Sequence, residues 1–376
     1  MNPFVLGNIL PGEPFCNRKK EIEELARYAI NCANVVIYSP RRYGKTSLVR
    51  KVMQLVTKRG FLAVYVDLFS VTSKEDFIQK FLAAVIKSIG KDISSGSFTD
   101  KVKKLFSRIT PSIEIKPDSI SISAHYDSGA SLTHLIEDIF MGLGKYLATK
   151  KLKCLMVFDE FQEITELKES KHLEGILREH IQNQRVLSHF FVGSRRRVLH
   201  SMFTDSQRPF FKIAFSFPLG KISRAELVEY IRVQFKKTGK ECPQAIAEKI
   251  YDFVEGHTYY VQKLSHLLWD NTAKEATIKL LESAKKSLIQ MESMDFQGLF
   301  SGLTSMEKKF LIALATESTA KPYSKDYLAR HHFSLGGIQK SLKSLLDKDL
   351  VEIDKDGIYK LTDPLFARWC NPELEW

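Results

Sequence analysis

Cysteine is scarce in this sequence, and long apolar runs are missing. Five scattered cysteines occur in 376 residues, none in a Cys-x-x-Cys pair: Cys16, Cys32, Cys154, Cys242 and Cys370. An odd number of isolated cysteines argues against a disulfide framework and against structural zinc. No stretch approaches the roughly 20 apolar residues that a helix needs to span a bilayer. Because no basic segment followed by an apolar stretch opens the sequence, we expect no secretory signal, no membrane partner and a cytoplasmic location.

The remaining composition is that of a folded, basic protein. Hydrophobic residues make up 44% of the sequence and charged residues 27%, which is typical of soluble globular chains. The length of 376 residues suits two or three domains. A net charge of +12 favours polyanionic partners, but it does not distinguish nucleic acid from a nucleotide or from an acidic protein.

The most informative stretch is an apolar strand, a tight turn and a helix start between Val35 and Leu48. The turn closely matches the phosphate-binding frame Gly-x-x-x-x-Gly-Lys-Ser/Thr, with Ser39 in place of the first glycine. Backbone N–H groups and the helix dipole would attract an anion there. A plain strand-to-helix turn with an exposed lysine is the alternative. The candidate nucleotide-binding residues are Ser39, Pro40, Arg41, Arg42, Tyr43, Gly44, Lys45, Thr46 and Ser47.

A second informative stretch is the apolar strand at 153–158, which runs directly into Asp159 and Glu160. In nucleoside triphosphatases such an aspartate orders Mg²⁺, together with the hydroxyl of the loop threonine, here Thr46. The following glutamate can act as general base toward the attacking water. Paired carboxylates also occur at ordinary solvated strand ends. Together with the upstream loop, the pair predicts a nucleotide-binding fold with Asp159 and Thr46 at the metal and Glu160 as a catalytic residue.

Three further segments supply candidate site residues. The strand at 188–192 ends at Gly193 and Ser194, and the Ser194 hydroxyl could touch the γ-phosphate or the attacking water. The basic run at 195–197 either reaches phosphate or forms a solvated helix start. Residues 1–14 form an extended arm before a helix, and arm and helix either cover an adenine base or simply pack. His257, at a helix junction, is either structural or a sensor that points toward the nucleotide.

The rest of the sequence predicts an α/β fold followed by helices. Residues 61–68 form a continuously apolar strand, typical of a parallel sheet buried on both faces, and 210–217 predicts another strand. Alternation around Pro117–Asp118 predicts a hairpin inserted near 110–125. From residue 223 onward the pattern is helical. We expect a core domain over 1–220, a helical lid over 221–300 and a third domain over 301–376.

The third domain has the pattern of a winged helix: helices at 305–315, 325–331 and 334–347, then a hairpin with an Asp-Gly turn. Lys340, Lys343 and Lys348 lie on or beside its third helix, where they could contact the phosphates of double-stranded DNA. A protein–protein or purely structural role is the alternative.

With these motifs placed, the sequence resembles the archaeal-type ATPases of prokaryotes, a branch of the signal-transducing (STAND) P-loop ATPases related to the AAA+ class. The resemblance spans nearly the whole sequence. It rests on Phe15-Cys16-Asn17-Arg18, the loop ending in Gly44-Lys45-Thr46-Ser47, Phe158-Asp159-Glu160-Phe161-Gln162, Gly193-Ser194, Gly256-His257 and Asp363-Pro364-Leu365-Phe366.

The resemblance implies a P-loop parallel sheet with flanking helices, a helical lid and a winged helix that closes over bound nucleotide. It implies that ATP or ADP and Mg²⁺ bind, that Lys45 contacts phosphate, and that Ser194 senses the γ-phosphate. Phe15, Arg18 and His257 are further candidates for nucleotide contact.

The sequence departs from the family pattern at several positions. Ser39 and Asn17 stand where the family usually has glycine, and Thr258 stands where it usually has proline. The family's arginine after a Pro-Leu-Tyr-Gly run has no counterpart in 209–213. Turnover could therefore be slow, or could need an arginine from a partner protein or a second copy of the chain.

Two functions from different classes follow. The first is a Mg²⁺-dependent ATPase that acts as a nucleotide-driven switch. The second is a nucleotide-bound DNA-binding or scaffold protein with little turnover. A kinase that uses the same loop is the weakest alternative, because the adjacent Asp-Glu pair favours hydrolysis.

Overall fold

A computed structural model of the chain describes residues 1–7, 18–90, 104–106, 109–116, 119–126 and 131–371, and gives the backbone alone over 110–116 and 119–126. The chain divides into two compact units. The sheet unit comprises Lys19–Ser39 and Lys45–Leu219, and the helical unit comprises Met1–Arg18, Pro40–Gly44 and Gly220–Trp376. Among the described residues, no helix is both long and apolar enough to cross a membrane. The division into three domains at 220 and 300 stays a prediction.

The sheet unit is built on five parallel strands. Their spatial order is β2–β5–β6–β1–β7. Because all five run the same way, their carboxyl ends lie at one edge, where ligands bind in open α/β sheets. The strands of the unit are β1 (Val35–Tyr38), β2 (Leu62–Asp67), β3 (Ile109–Lys116), β4 (Ser119–Tyr126), β5 (Cys154–Asp159), β6 (Leu187–Gly193) and β7 (Phe215–Pro218).

Helices bury both faces of this sheet. On one face Leu48 and Val52 of α2 join a core with Val157 and Phe190, and on the other Phe81 of α3 joins a second core. This two-sided burial explains why the strands read as continuous apolar runs. The helices are α1 (Lys19–Ile30), α2 (Lys45–Thr57), α3 (Lys74–Gly90), α4 (Leu132–Lys150), a 3₁₀-helix (Phe161–Glu166), α5 (Ser170–Gln182) and α6 (Arg196–Thr204).

Strands β3 and β4 pair with each other as an antiparallel hairpin, with Ile113 opposite Ile122. The two residues of the Pro-Asp turn, 117 and 118, lie outside the described residues.

The strand predicted over 210–217 is wrong in its first half, because β7 begins at Phe215. Residues 206–214 form turns and bends. Phe210 is fully buried among aromatic rings, 5.4 Å from the ring centre of Phe161 and 5.7 Å from that of Phe191. Lys212 has a φ of 57°, in the left-handed region that an extended strand excludes. The apolar residues that suggested a strand therefore fill the core from a turn.

The helical unit contains one continuous apolar core. Its elements are α7 (Arg224–Lys237), α8 (Gln244–Phe253), α9 (Thr258–Asn271), α10 (Ile278–Ser301), α11 (Ser305–Thr316), α12 (Lys325–Arg330), α13 (Leu335–Asp347), β8 (Val351–Ile353), β9 (Tyr359–Leu361) and α14 (Pro364–Cys370).

Three helices and a hairpin in the last part of this unit form the winged helix. Strands β8 and β9 pair antiparallel, and Gly357, in the turn between them, has a φ of 78° that favours glycine. Thr304 and Glu307 form a capping box at the start of α11. Ser324 and Ser334 are simple N-caps of α12 and α13, and each side chain accepts a backbone N–H three residues on.

Candidate functional site

The loop after β1 begins with a buried serine. Ser39 is 1% exposed, and its carbonyl oxygen accepts a hydrogen bond from Lys45 Nζ at 3.0 Å. Arg42 and Gly44 have positive φ angles of 63° and 86°, whereas Ser39 does not. A side chain at position 39 therefore costs no backbone strain, which explains how serine can stand where the usual frame has glycine.

The threonine of the loop and the acidic end of β5 lie side by side in the sheet unit. Thr46 Oγ1 donates to Asp159 Oδ2 at 2.7 Å. Asp159 Oδ1 accepts the backbone N–H of Glu160 at 3.0 Å. A hydroxyl and a carboxylate in contact form an all-oxygen donor pair of the kind that Mg²⁺ prefers.

A third residue, Tyr65, also contacts the Asp159 carboxylate, and the sequence did not point to it as a site residue. Tyr65, on the neighbouring strand β2, donates its hydroxyl to Asp159 Oδ2 at 2.6 Å. Its ring lies 4.6 Å from the guanidinium carbon of Arg50. Burial and the adjacent Asp159 carboxylate raise the pKa of Tyr65, so the phenol stays protonated and remains a donor.

Burial also raises the pKa of Asp159, against the opposing effect of the hydrogen bonds from Tyr65 and Thr46. A carboxylate with a raised pKa is poorly solvated, and a bound cation would stabilise its ionised form. The residues present therefore fit a metal ion. Among the described residues, no group of three or more His, Cys, Asp and Glu side chains could hold a metal by itself.

Glu160 turns the chain sharply after Asp159, with φ 51° and ψ 43°. One of its carboxylate oxygens, Oε2, accepts three hydrogen bonds: from Ser194 Oγ at 2.9 Å, from Ser194 N at 3.3 Å and from Gln162 Nε2 at 2.7 Å. Strained backbone at a polar strand end is typical of functional sites. The structure thus brings Ser39, Lys45, Thr46, Asp159, Glu160 and Ser194 together in one unit, and Ser47 follows in α2.

Residues 40–44 of the loop belong to the helical unit. The Tyr43 ring meets the His257 ring edge-on at 5.0 Å, and His257 lies 4.5 Å from the ring of Tyr260. The Tyr260 hydroxyl donates to Asp363 Oδ2 at 2.6 Å. The neighbouring loop residue Arg42 lies 4.4 Å above the Tyr259 ring.

His257 is uncharged in this packing. Burial lowers its pKa to about 3, and the nearby cations Lys221 and Arg42 add to the effect. A neutral imidazole at a helix start is compatible with either interpretation of this residue, and its role stays a prediction.

The other candidate residues are placed as follows. Arg18 donates to the carbonyl oxygen of Gly220 at 2.8 Å in the helical unit. Arg195 pairs with Glu166 at 2.6 Å, and α6 begins at Arg196. Phe15 and Asn17 lie outside the described residues.

The comparisons with known proteins agree with this geometry. A family described as an ATPase domain predominantly from Archaea matches residues 15–264, and a probable winged helix domain matches residues 294–372. No curated protein matches the sequence.

Among solved structures, a Walker-type ATPase of Pyrococcus abyssi is similar, with a TM-score of 0.72 and 17% identity over 98% of this chain and 99% of that chain. The ORC2 protein of Aeropyrum pernix, in complexes with ADPNP and ADP, has a TM-score of 0.61 and 17% identity over 98% of this chain and 95% of that chain. At this identity the likeness establishes the fold alone.

Proposed function

Because this chain belongs to the family of ATPase domains found predominantly in Archaea, we propose that it binds ATP with Mg²⁺ and hydrolyses it. The contact of Thr46 Oγ1 with Asp159 Oδ2 at 2.7 Å carries the proposal. It joins the phosphate loop to the acidic strand end, which are 113 residues apart in the sequence.

In this proposal Lys45 contacts the phosphates. The residue is 5% exposed, and its ammonium group donates to a neutral carbonyl oxygen, that of Ser39. A phosphate oxygen carries negative charge and is a stronger acceptor, so it would take over this donor. The backbone N–H groups at the start of α2 add a positive potential at the same place.

Thr46 and Asp159 would hold the Mg²⁺ ion. When bound, Mg²⁺ neutralises charge that develops on the phosphate oxygens. Tyr65 then keeps Asp159 in place through its hydroxyl. Glu160 takes a proton from the attacking water, and Ser194, which donates to Glu160 Oε2, keeps that carboxylate at the site.

Two substitutions separate binding from chemistry. We expect Lys45→Ala to abolish ATP binding, because the buried cation is lost. We expect Glu160→Gln to keep binding and to lower kcat by about 10²–10⁴-fold, the range for loss of a general base. Isothermal titration with ATP and a phosphate-release assay measure the two effects.

Lys58→Ala and Glu179→Gln are the controls, because both residues are exposed in the same unit, Lys58 in the turn after α2 and Glu179 on α5. ATP hydrolysis that survives in purified Lys45→Ala protein would contradict the proposal. So would a Glu160→Gln variant with unchanged turnover.

We propose further that nucleotide turnover is used as a switch. Arg42 and Tyr43 are residues of the phosphate loop that belong to the helical unit. Within that unit, the Tyr43–His257–Tyr260–Asp363 contacts lead to the N-cap of α14 in the winged helix. Hydrogen exchange of the Glu160→Gln protein, with ATP and then with ADP, tests this. Identical protection of α14 in both states would contradict it.

A second candidate function is DNA binding, with or without turnover. Lys340 and Lys343 are exposed and three residues apart on α13, so they share one face of the third winged-helix helix. Lys348 is less available for this role, because its ammonium pairs with Glu307 at 2.8 Å.

A gel shift on duplex DNA at several salt concentrations tests DNA binding. Each phosphate contact contributes a slope of about −0.9 to the plot of log K against log salt. We therefore expect the slope of a Lys340→Ala/Lys343→Ala protein to be smaller by about 2 units. Lys279→Ala/Lys286→Ala on α10 is the control with the same charge change. No shift at low salt, or equal weakening by both pairs, would rule out this function for α13.

A further inference from the structure

Gln162, in the 3₁₀-helix after Glu160, is a completely buried amide with an unusual set of contacts. Its Nε2 donates to Glu160 Oε2 at 2.7 Å and to Glu163 Oε1 at 3.0 Å. Its own Oε1 is buried and has no hydrogen-bond partner among the described residues. Because the flipped amide would turn an acceptor toward two carboxylates, the two acidic groups determine its orientation. A buried carbonyl without a partner destabilises the fold, and the two hydrogen bonds donated by Nε2 offset this effect.

The space for this amide depends on Gly193, the last residue of β6. A Cβ atom added to Gly193 would lie 1.9 Å from Gln162 Oε1, far inside van der Waals contact, and also 3.0 Å from Leu199 Cδ2 and 3.1 Å from Gln162 Cδ. Gly193 does not have a positive φ, so its backbone does not itself require glycine. The Gln162 amide, the nearest neighbour by more than 1 Å, is therefore the main reason for glycine at this position.

Gln162 and Ser194 act on the same oxygen atom. Both donate to Glu160 Oε2, and no hydrogen bond of Glu160 Oε1 to a described residue is found. The carboxylate is thus held by one oxygen, which leaves the other available to a ligand.

From this arrangement we infer that Gln162 is a positioning residue that holds Glu160 so that Oε1 accepts the proton of the attacking water, and that Gly193 is needed to make room for it. The inference rests on the proposed ATPase function. In the step itself, the water oxygen bonds to the γ-phosphorus, the bond to the bridging oxygen breaks and ADP leaves, and the water proton passes to Glu160 Oε1.

The first test replaces the amide with a side chain of similar length that has no N–H donor. We expect Gln162→Met to lower kcat by about 10–100-fold, since small misplacements of catalytic groups have effects of this size. ATP affinity and KM should stay within about twofold of the wild-type values, because no phosphate contact is lost. Gln182→Met, at an exposed glutamine of α5, is the control. An unchanged kcat, or a loss that appears only in KM, would overturn the inference.

The second test links Gln162 with Gly193. Alone, Gly193→Ala should lower kcat as much as Gln162→Ala, because the new methyl group displaces the amide. In the Gln162→Ala background the methyl group keeps one close neighbour, Leu199 Cδ2 at 3.0 Å, which is the end of a flexible side chain and can move aside. Gly193→Ala should therefore cause little further loss in that background. Gly175→Ala on α5 is the control, since a Cβ there meets nothing within 4 Å. Losses that multiply in the double variant would overturn the inference, and thermal melts of all variants show which are folded.

A third readout does not depend on turnover. In a crystal structure of the Gln162→Met protein with a non-hydrolysable ATP analogue, we expect the Glu160 carboxylate to leave its place beside Ser194 Oγ. A carboxylate that keeps its wild-type position would overturn the role of Gln162 even in a protein that hydrolyses nothing. Wild-type protein without any ATPase activity would instead contradict the proposed function, so the two failures are distinguishable.

Discussion

At the scale of single residues, two histidines are buried, and neither has a partner of negative charge among the described residues. His189, on β6, has Nδ1 3.0 Å from Asn34 Oδ1, and its Nε2 has no hydrogen-bond partner among the described residues. Burial lowers its pKa to about 3. His257, in the other unit, has a pKa lowered to about 3, chiefly by burial. Both imidazoles are therefore neutral at physiological pH, and each must gain a proton when the protein unfolds in acid.

This pKa difference predicts how stability depends on pH. An unfolded histidine titrates near pH 6.5, so between about pH 6.5 and 3 the unfolded state binds more protons than the folded state. Each histidine then removes ~1.4 kcal/mol of stability per pH unit as the pH falls. We expect His189→Gln to flatten the dependence of stability on pH in this range by about that slope, as measured by urea unfolding. His134→Gln, at an exposed site, is the control. Equal slopes in the wild type and His189→Gln would contradict this account.

At the scale of elements, an ion pair holds the 205–214 segment, which the sequence suggested to be partly strand. Arg208 Nε donates to Glu174 Oε2 of α5 at 3.1 Å, and its Nη2 donates to the other oxygen. Arg178 of α5 donates to the carbonyl oxygen of Pro209 at 2.6 Å. Glu174 is fully buried, and burial raises its pKa while Arg208 opposes the rise. The segment is therefore fixed by side chains of α5 rather than by sheet hydrogen bonds.

Removal of Arg208 should therefore be costly. Arg208→Met leaves a buried carboxylate unpaired, and we expect a loss of about 3–5 kcal/mol in the free energy of unfolding. With the arginine gone, the pKa of Glu174 rises further above its unfolded value, so the remaining stability should fall as pH rises through that window. Guanidinium unfolding at several pH values measures both effects.

The control for this measurement is Arg185→Met, at an exposed arginine after α5. Adding Glu174→Gln to Arg208→Met should recover part of the loss, because the amide carries no charge. A loss that is the same at every pH, or no recovery in the double variant, would show that the ion pair does not hold the segment.

At the scale of the whole molecule, the chain forms two units with separate cores. In the helical unit, Phe4 is 2% exposed and packs 5.6 Å from the ring centre of Phe235, so the first residues of the chain are part of a core formed far along the sequence. Helix α10 joins the helices before it to the winged helix, since Phe296 lies 5.3 Å from Phe366 of α14. The winged helix therefore shares its core with α7–α10, and we expect it to depend on them for stability.

The sequence by itself determined the class of fold, and it supplied the candidate residues of the site, whose roles stay predictions. Continuous apolar strands require a sheet covered on both faces, and helical spacing and capping residues located most helices to within a few residues. The loop ending in Gly44-Lys45-Thr46 and the pair Asp159-Glu160 are local patterns whose chemistry follows from adjacent residues. The family resemblance, a P-loop ATPase with a winged helix, was confirmed by the family comparisons.

Only the tertiary structure decided the contacts between distant residues. In the sequence, Tyr65 is one more residue of an apolar strand. In the structure, β2 pairs with β5, and this pairing brings the Tyr65 hydroxyl to Asp159. Gln162 and Gly193 are adjacent only because β6 lies beside β5. The sequence around Phe210 predicted a strand because residues buried in a turn and residues buried in a strand are equally apolar. Strand order and side-chain direction set these contacts, and both depend on free energies summed over the whole core rather than on any local pattern of residues.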